Sequence, residues 1–269
     1  MAMTVASSAF AADLAPVYKA PAKAVAPAPT WTGFYIGGNI GYGWDTHSPR
    51  FGASTDDPFF AQPLADLLAA GSYPASLSPD AQGIIGGAQI GYNWRLSSPW
   101  LIGLEADIQG SGIKGSDTRT LSPLFFDVTT TSVTKSIDWF GTVRGRIGFL
   151  ANPQWLLYAT GGLAYGETKL SFNSVDVSQG CSIFTLCGAG SSSGVRAGWT
   201  AGGGVEAMLA QNWSAKVEYL YIDLGGRSMS VPTSTIPAIN FNSSTDFREH
   251  IVRAGVNYHF NWGGPVSAR

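Results

Sequence analysis

The sequence predicts an all-β protein whose eight antiparallel strands close into a transmembrane barrel. Three observations support this fold. Apolar and polar residues alternate from Gly33 onward, the apolar face of the alternating segments carries no charge, and large aromatic residues gather at both ends of the segments. Alternation with a period of two is typical of β-strands. The sequence has no run of about 18 apolar residues that could form a membrane-spanning helix.

The first four alternating segments cover residues 34–44, 84–94, 100–108 and 137–149. On one face, each presents isoleucine, leucine or valine among glycine and alanine. Each also carries tyrosine, tryptophan or phenylalanine near at least one end. Branched and aromatic residues at alternate positions favour a strand whose one face meets an apolar medium.

The last four segments cover residues 155–165, 199–209, 213–221 and 252–260. Across all eight segments the apolar face comprises 46 positions, which include no charge, no side-chain amide and no hydroxyl other than that of tyrosine. At the overall charged fraction of 13%, about six charges would be expected among these positions. The absence of charge therefore marks one continuous apolar surface.

The opposite face of these segments gathers five acidic and four basic residues. An eight-stranded barrel has an interior only about wide enough for its own side chains. Buried charges must then pair with one another, because an unpaired one costs several kcal/mol. We therefore expect a salt-bridged plug, with the lining of an ion path as the alternative. The residues are Glu105, Asp107, Asp138, Arg144, Arg146, Glu206, Lys216, Glu218 and Arg253.

Two features place the apolar face against lipid rather than in the core of a soluble barrel. Aromatic residues form two girdles, as at the two interfaces of a bilayer. The connections also alternate between short turns, such as "ANPQ", and stretches of roughly 20 to 35 residues, which is the outer-membrane pattern of short periplasmic turns and long extracellular loops. The short-turn girdle comprises Trp94, Trp100, Trp155, Trp213, Tyr258 and Phe260, and the long-connection girdle comprises Tyr42, Trp44, Trp139, Tyr165, Trp199 and Tyr221.

The long connections carry two further features. The first connection, residues 46–80, holds "DDPFFAQPLADLLAA", which predicts a short amphipathic helix that caps the barrel mouth or binds a partner. Another holds Cys181 and Cys187, a pair that would form either a disulfide or half of a metal site. No second pair or histidine follows nearby, so we predict a disulfide in an oxidising compartment.

No segment predicts catalysis or a cofactor. Gly110, Gly112 and Gly115 match a GxGxxG string, but no helix follows to bind a phosphate. Ser192 lies in "GSSSG" without a strand-to-helix elbow. A formal net charge of -2 and 13% charged residues give no electrostatic case for nucleic acid.

The ends of the chain predict processing and a spacer. Residues 1–11 are interpreted as the remainder of a signal peptide, because Ala9-Phe10-Ala11 matches a small-x-small cleavage site. Residues 12–30 form an Ala/Pro-rich periplasmic arm that is expected to be extended. Residues 31–260 then form the barrel and residues 261–269 a tail.

Three stretches resemble the small porin-like outer-membrane proteins of alphaproteobacteria called outer membrane immunogenic proteins. They are "PAPTWTGFYIGGNIGYGWD" (27–45), "GTVRGRIGF" (141–149) and "EHIVRAGVNYHF" (249–260). The resemblance implies that Tyr258 and Phe260 form the signal read by the barrel-assembly machinery. It also implies that a mature terminus at Ala12 is an attachment point for peptidoglycan, since some members are linked there by L,D-transpeptidases.

The predicted function is structural: an outer-membrane barrel with both termini in the periplasm, supporting envelope integrity and displaying surface loops. Its expected partners are outer-membrane lipid and lipopolysaccharide. A narrow porin for small solutes is one alternative and would need a continuous wet lumen. A surface receptor for haem or host molecules, which the resemblance implies, would need an ordered site in the loops.

Overall fold

The computed structural model describes residues 31–45, 47–74, 76–124, 127–178, 180–181 and 186–260. The predicted signal remnant, the arm with Ala12, and the tail lie outside these ranges. Within them, nine antiparallel strands and one helix are present. Their bounds are β1 Gly33–Asp45, β2 Arg50–Thr55, α1 Pro58–Ala69, β3 Gln82–Ser97, β4 Trp100–Leu124, β5 Asp127–Asn152, β6 Trp155–Asp176, β7 Gly188–Ala210, β8 Trp213–Pro232 and β9 Ile239–His259.

The strands form a ring in which β1 pairs with β3 and each later strand with the next. The ring closes where β9 pairs with β1, from Tyr35↔His259 to Asp45↔Glu249. The other half of β9 pairs with β2, from Arg50↔Ser244 to Thr55↔Ile239, so β2 continues the wall beyond the end of β1. Closure leaves no strand edge to be solvated where the ring crosses lipid.

Strand β2 was not predicted, and the other strands extend beyond the predicted segments at the long-connection end. The third segment was predicted to span residues 100–108, but β4 runs from Trp100 to Leu124. The connections past the long-connection girdle span many residues, as predicted. Most of these residues, however, continue the strands. The predicted helix is α1, whose N-cap Asp57 accepts a hydrogen bond from the backbone N–H of Phe59 at 3.0 Å. Among the described residues, no helix is long and apolar enough to cross a membrane.

The predicted apolar face lies on the outside of the ring. Its large side chains stay exposed, for example Ile40 at 64% and Val217 at 58%. Girdle residues contact one another across neighbouring strands, as in the Trp213–Tyr258 pair at the short-turn end and the Trp199–Tyr221 pair at the other. The outward parity predicted from the sequence is therefore confirmed for these residues.

One stretch of the predicted parity is wrong. Asp138 was placed inside the barrel and Ile137 outside, but Ile137 is buried and Asp138 is exposed. The register with β6 shifts between Ile137 and Trp139, so one extra residue is inserted at this point of β5. A β-bulge of this kind exchanges the faces of all residues on its far side.

The interior is filled in layers. At the short-turn end, an apolar cluster closes the ring with Trp31, Leu101, Leu150, Leu156, Tyr158 and Met208. Beyond the polar layer described below, a second apolar cluster includes Ile85, Phe140, Leu220 and Phe247. A third cluster fills the extension past the long-connection girdle, where β2 and α1 contribute Phe51 and Leu64 beside Phe172 and Phe241.

Candidate functional site

A layer of buried charges crosses the barrel interior between the two girdles. Five strands supply it with eight of the nine predicted charged residues. These residues share the inner face because successive side chains of a strand point to opposite faces of the wall. Their side chains are at most 3% exposed. We call this set the charge layer: Glu105, Asp107, Arg144, Arg146, Glu206, Lys216, Glu218 and Arg253.

The carboxylates of β4 form one centre of the charge layer. Arg144 Nη2 lies 2.9 Å from Asp107 Oδ2 and also contacts Glu105 Oε1. Lys216 Nζ donates to both oxygens of Glu105 at 2.9 Å. Arg253 donates to Asp107 Oδ2 at 2.9 Å and, through Nε, to Glu218 Oε2 at 2.7 Å. Each acid is therefore bridged to cations on other strands of the ring.

Glu206 forms a second centre, nearer the short-turn end. Arg146 Nη2 donates to Glu206 Oε2 at 2.7 Å, while Asn257 and the Ser214 hydroxyl donate to Oε1 at 2.8 and 2.5 Å. The Ser214 hydroxyl also lies 2.8 Å from His259 Nε2. The Asn257 amide and the Ser214 hydroxyl thus satisfy carboxylate lone pairs of Glu206 that a single arginine leaves free.

Two tyrosines join the centres, and the sequence prediction missed both. The Tyr35 hydroxyl donates to Glu105 Oε2 at 2.7 Å and accepts from Arg146 Nη1 at 3.0 Å. The Tyr158 hydroxyl donates to Glu218 at 3.0 Å, and the Arg146 guanidinium lies 4.2 Å from the Tyr158 ring centroid. The signal was present, because Tyr35 and Tyr158 occupy inward-facing positions beside apolar outward neighbours.

Glycines make room for these large side chains. A Cβ at Gly91 would lie 2.3 Å from the Tyr35 ring, and one at Gly204 would lie 2.7 Å from the Tyr158 hydroxyl. Because the interior of so narrow a ring holds little more than its own side chains, the tyrosines fit only where the facing strand has no side chain.

The charge layer is balanced, with four acids against four bases. Taking such ions out of water carries a desolvation penalty that only complete pairing offsets, and removal of one partner typically costs about 3–5 kcal/mol. The arrangement can hold the wall strands in register. It resembles a structural plug more than an acid–base site, since each carboxylate is bound by at least one cation.

The remaining predicted residues lie elsewhere. Asp138 lies outside the barrel, where its carboxylate is 2.5 Å from Lys169 Nζ, and the bulge in β5 is the reason. Cys181 and Cys187 are joined by a disulfide at the long-connection end. Tyr258 and Phe260 pack edge-to-face beside the short-turn girdle residue Trp213.

The motifs set aside in the sequence also lie outside the charge layer. Gly110, Gly112 and Gly115 lie within β4, and Ser192 lies within β7. In the part of the chain that the structure describes, no group of three histidine, cysteine, aspartate or glutamate residues could hold a metal ion.

Comparisons with known proteins find a family model and relatives that match most of this chain. The family model described as "Outer membrane protein beta-barrel domain" matches residues 3–260. The 31 kDa outer-membrane immunogenic protein of Brucella melitensis is 38% identical over 260 residues, covering 95% of each chain. The 22 kDa outer membrane protein of Rhizobium leguminosarum is 29% identical and covers 90% of this chain and 82% of its own. The crystal structure of OprG from Pseudomonas aeruginosa has a TM-score of 0.45 at 12% identity, with 85% of this chain and 97% of that chain covered.

Both the strand ring with its apolar outer face and the match of the family model over nearly the whole chain lead to one conclusion. This chain belongs to the outer-membrane β-barrel protein family and is an outer-membrane protein.

Proposed function

We propose that this protein is a structural, non-conducting barrel that supports the envelope and displays its long-connection end outside the cell. The observation that carries the proposal is the charge layer, in which buried acids and bases on five strands are bridged across the lumen. A lumen lined for solute passage would leave charged groups in contact with water rather than with one another.

The layers on either side of the charge layer support a closed lumen. At the short-turn end, Trp31 is 1% exposed, and its indole N–H donates to the Pro153 carbonyl at 3.0 Å. At the other end, the Tyr73 hydroxyl donates to the Leu186 carbonyl at 2.9 Å and anchors the connection after α1 to the apolar cluster of the extension. These contacts cap the plug on both sides.

The proposed orientation has both termini in the periplasm. Short turns toward the periplasm and long connections outside are usual for bacterial barrels of this kind. The name of the Brucella relatives, immunogenic proteins, is in keeping with surface display of the long connections.

The arm at residues 12–30 is proposed to reach peptidoglycan. Cleavage after Ala11 would expose the primary amine of Ala12, which could displace the thiolate of an L,D-transpeptidase acyl-enzyme and form an amide. The 18 residues from Asp13 to Thr30 could span about 55 Å at about 3.1 Å each in polyproline geometry. That length would carry the amine well away from the membrane.

Conductance of the refolded protein tests the closed lumen. In planar bilayers we expect no steady unitary currents from the wild type, provided that the sample migrates faster on an SDS gel before boiling than after. The Lys169→Ala variant, which alters a pair outside the wall, should behave like the wild type. Stable currents whose size changes in Arg144→Ala would instead support the narrow porin.

Mass spectrometry of muramidase-digested sacculi tests the tether. We expect a peptide that begins at Ala12 and carries a muropeptide fragment. If every peptide that begins at Ala12 is unmodified, the arm is only a spacer, and the conclusion about the lumen is unaffected.

A further inference from the structure

A second group of buried charges lies beyond the charge layer, at the point where β9 changes its partner strand. The ladder between β9 and β1 ends at Asp45↔Glu249, and the ladder between β9 and β2 begins at Arg50↔Ser244. Asp45 and Glu249 are directly opposite each other, on the inner face of the wall. The Asp45 side chain is 1% exposed, and Glu249 is 1% exposed. The end of β1 therefore brings two carboxyl groups together inside the barrel.

Lys135 of β5 supplies one cation to these two acids. Its ammonium group contacts Asp45 Oδ2 and the Asp246 carbonyl oxygen, and it lies 4.5 Å from the centroid of the Phe247 ring. Lys135 itself is fully buried. Two acids thus share one base, whereas the charge layer holds four acids and four bases.

Glu249 is the acid that this arrangement leaves unpaired. Neither of its carboxyl oxygens has a hydrogen-bond partner among the residues that the structure describes. Its surroundings are apolar, since Phe247 and Ile251 flank it on the inner face of β9 and Ile222 lies opposite on β8. An ionised Glu249 would be a buried charge without a counter-ion, and it would also face the like charge of Asp45 directly across the ladder. The site therefore favours the neutral acid.

The charged neighbours of Glu249 set the pH at which it ionises. Asp45 faces it from β1 and Lys135 from β5, while Arg248 and His250 of its own strand lie on the outer face. Glu249 precedes residues 252–260, the last segment of the lipid-facing band. Burial, and then the charge of Asp45, raise the pKa of Glu249 from 4.5 to about 8, against the opposing effect of Lys135.

Asp45 holds the connection that follows β1. Its backbone N–H donates to the Ala81 carbonyl at 2.9 Å, and its Oδ1 accepts from the backbone N–H of His47 at 2.9 Å. The His47 ring is 35% exposed, and its Nδ1 lies 3.6 Å from the same oxygen. The chain then joins the wall again as β2 at Arg50. The charge balance around Asp45 therefore affects how firmly β2 is attached to the end of β1.

We propose that Glu249 carries a proton in the folded protein and that Asp45, Lys135 and Glu249 form a pH-sensitive latch on the extension. While Glu249 is neutral, Lys135 neutralises Asp45 and the end of β1 is held. When the Glu249 O–H bond breaks and the proton passes to solvent, two anions compete for one ammonium group. Asp45 then loses part of its cation, and the connection to β2 loosens.

The direction of the pH effect follows from the two environments of Glu249. In a locally opened form Glu249 is solvated and ionises near 4.5, whereas in the closed form it keeps its proton up to about pH 8. The stability of the latch is therefore fully present below about pH 4.5 and is lost as the pH rises through about 8. Between these values the open form binds one proton fewer, so the equilibrium constant for local opening should rise about tenfold per pH unit.

Infrared spectroscopy of the folded full-length chain in lipid vesicles tests the proton. A protonated carboxylic acid has a carbonyl stretch that a carboxylate lacks, so Glu249 should give such a band at about pH 6 and lose it by about pH 10. The band should be absent in Glu249→Gln. It should remain in Glu167→Gln, because Glu167 is partly exposed and lies 3.8 Å from Lys169. In Asp45→Asn the band should disappear at a lower pH, since the neighbouring anion is gone.

Hydrogen exchange of the same samples tests the latch. Protection factors already account for the pH dependence of exchange in an unfolded chain. In the wild type, those of the His47 amide and of the β9 amides next to Glu249 should fall about tenfold per pH unit between about pH 6 and about pH 8. Glu249→Gln stays neutral and should keep constant protection factors over this range, whereas Glu167→Gln should follow the wild type.

Heat-modifiability on an SDS gel shows whether each variant is folded, and the wild-type titrations decide the matter even if a variant is not. The proposal is overturned if the wild type has no protonated carboxyl band at about pH 6. A band that persists in folded Glu249→Gln, or wild-type protection factors that do not change with pH, would contradict it equally. Neither measurement depends on conductance or on the arm, so the latch stands or falls apart from the proposed function.

Discussion

The interior of the barrel between the girdles and the interior of the extension beyond them have opposite polarity. Between the girdles, charged groups such as Arg144 and Glu218 face inward and Val143 and Val217 face outward. Past the long-connection girdle, Phe172 and Phe241 face inward, and Lys169 and Ser171 face outward. The same strands build both regions, so the medium around the wall, and not the fold, decides which face is apolar.

Strand β6 shows the change within one element. Its even-numbered residues point inward from Leu156 to Asp176. Outside, Leu157 and Leu163 of the band give way to Lys169 and Ser171 in the extension. Lipid tolerates only an apolar outer face, whereas water in the extension favours the usual arrangement with an apolar core.

The largest expected effect comes from breaking the charge layer. Arg144→Met should lower the free energy of unfolding by about 3–5 kcal/mol, because Glu105 and Asp107 would lose a buried cation. Lys169→Met removes a cation from the half-exposed pair with Asp138 and should cost far less, because solvent screens that pair. Urea unfolding in lipid vesicles measures both, and equal losses would mean that the interior is solvated.

The second comparison places one charge on the outer face at two depths. Val143→Arg should destabilise the barrel by about 2–4 kcal/mol, because position 143 lies near the middle of the band and is 48% exposed to lipid. Val195→Arg has the same outward parity but lies past Trp199, so about 0–1 kcal/mol is expected. The same unfolding assay applies, and a larger loss at Val195 would refute the assigned band.

The third comparison deletes one methylene group inside the extension and one on the lipid face. Ile239→Val should weaken the extension by about 0.5–1.5 kcal/mol, because Ile239 is only 3% exposed in its apolar cluster. Ile147→Val, on the lipid-facing surface, should change stability by less than about 0.5 kcal/mol. Hydrogen exchange of the β9 amides near Ile239 and of the β5 amides near Ile147 reports the local free energies, and identical protection in both variants would argue against a packed extension.

The smallest effect is expected at the disulfide. Cys181→Ser should leave the free energy of barrel unfolding within about 0.5 kcal/mol of the wild type, since the bond closes a ring of few residues beyond the band. Thiol titration of the native wild type should give no reactive thiol before reduction. Two free thiols per native chain would contradict the bond.

The sequence predicted the band well and the rest less completely. Alternation fixed the outward direction of Val143 and the inward direction of Arg144, because one face of each segment had to avoid charge. At Asp138 the same logic failed, since a single inserted residue reverses parity without changing composition. The extension was predicted as loops because its alternation is the reverse of the pattern in the band. Its polar residues Lys169 and Ser171 lie on the outer face, and its apolar residues Leu170 and Phe172 lie on the inner face.

The candidate sites were predictable to different degrees. The alternation of residues along the strands predicts most of the charge layer. It does not predict the roles of Tyr35 and Tyr158, because only the structure shows that their hydroxyl groups donate to carboxylates.

The reversal of polarity at the long-connection girdle is tested most directly by spin labels on outward-facing positions, in a chain without Cys181 and Cys187. Labels at residues 143 and 147 of β5 and at 169 and 171 of β6 are compared in lipid vesicles. We predict that oxygen, which dissolves in lipid, relaxes the labels at 143 and 147, and that a water-soluble nickel chelate relaxes those at 169 and 171. A chelate response at 143 and 147 as strong as that at 169 and 171 would contradict the account.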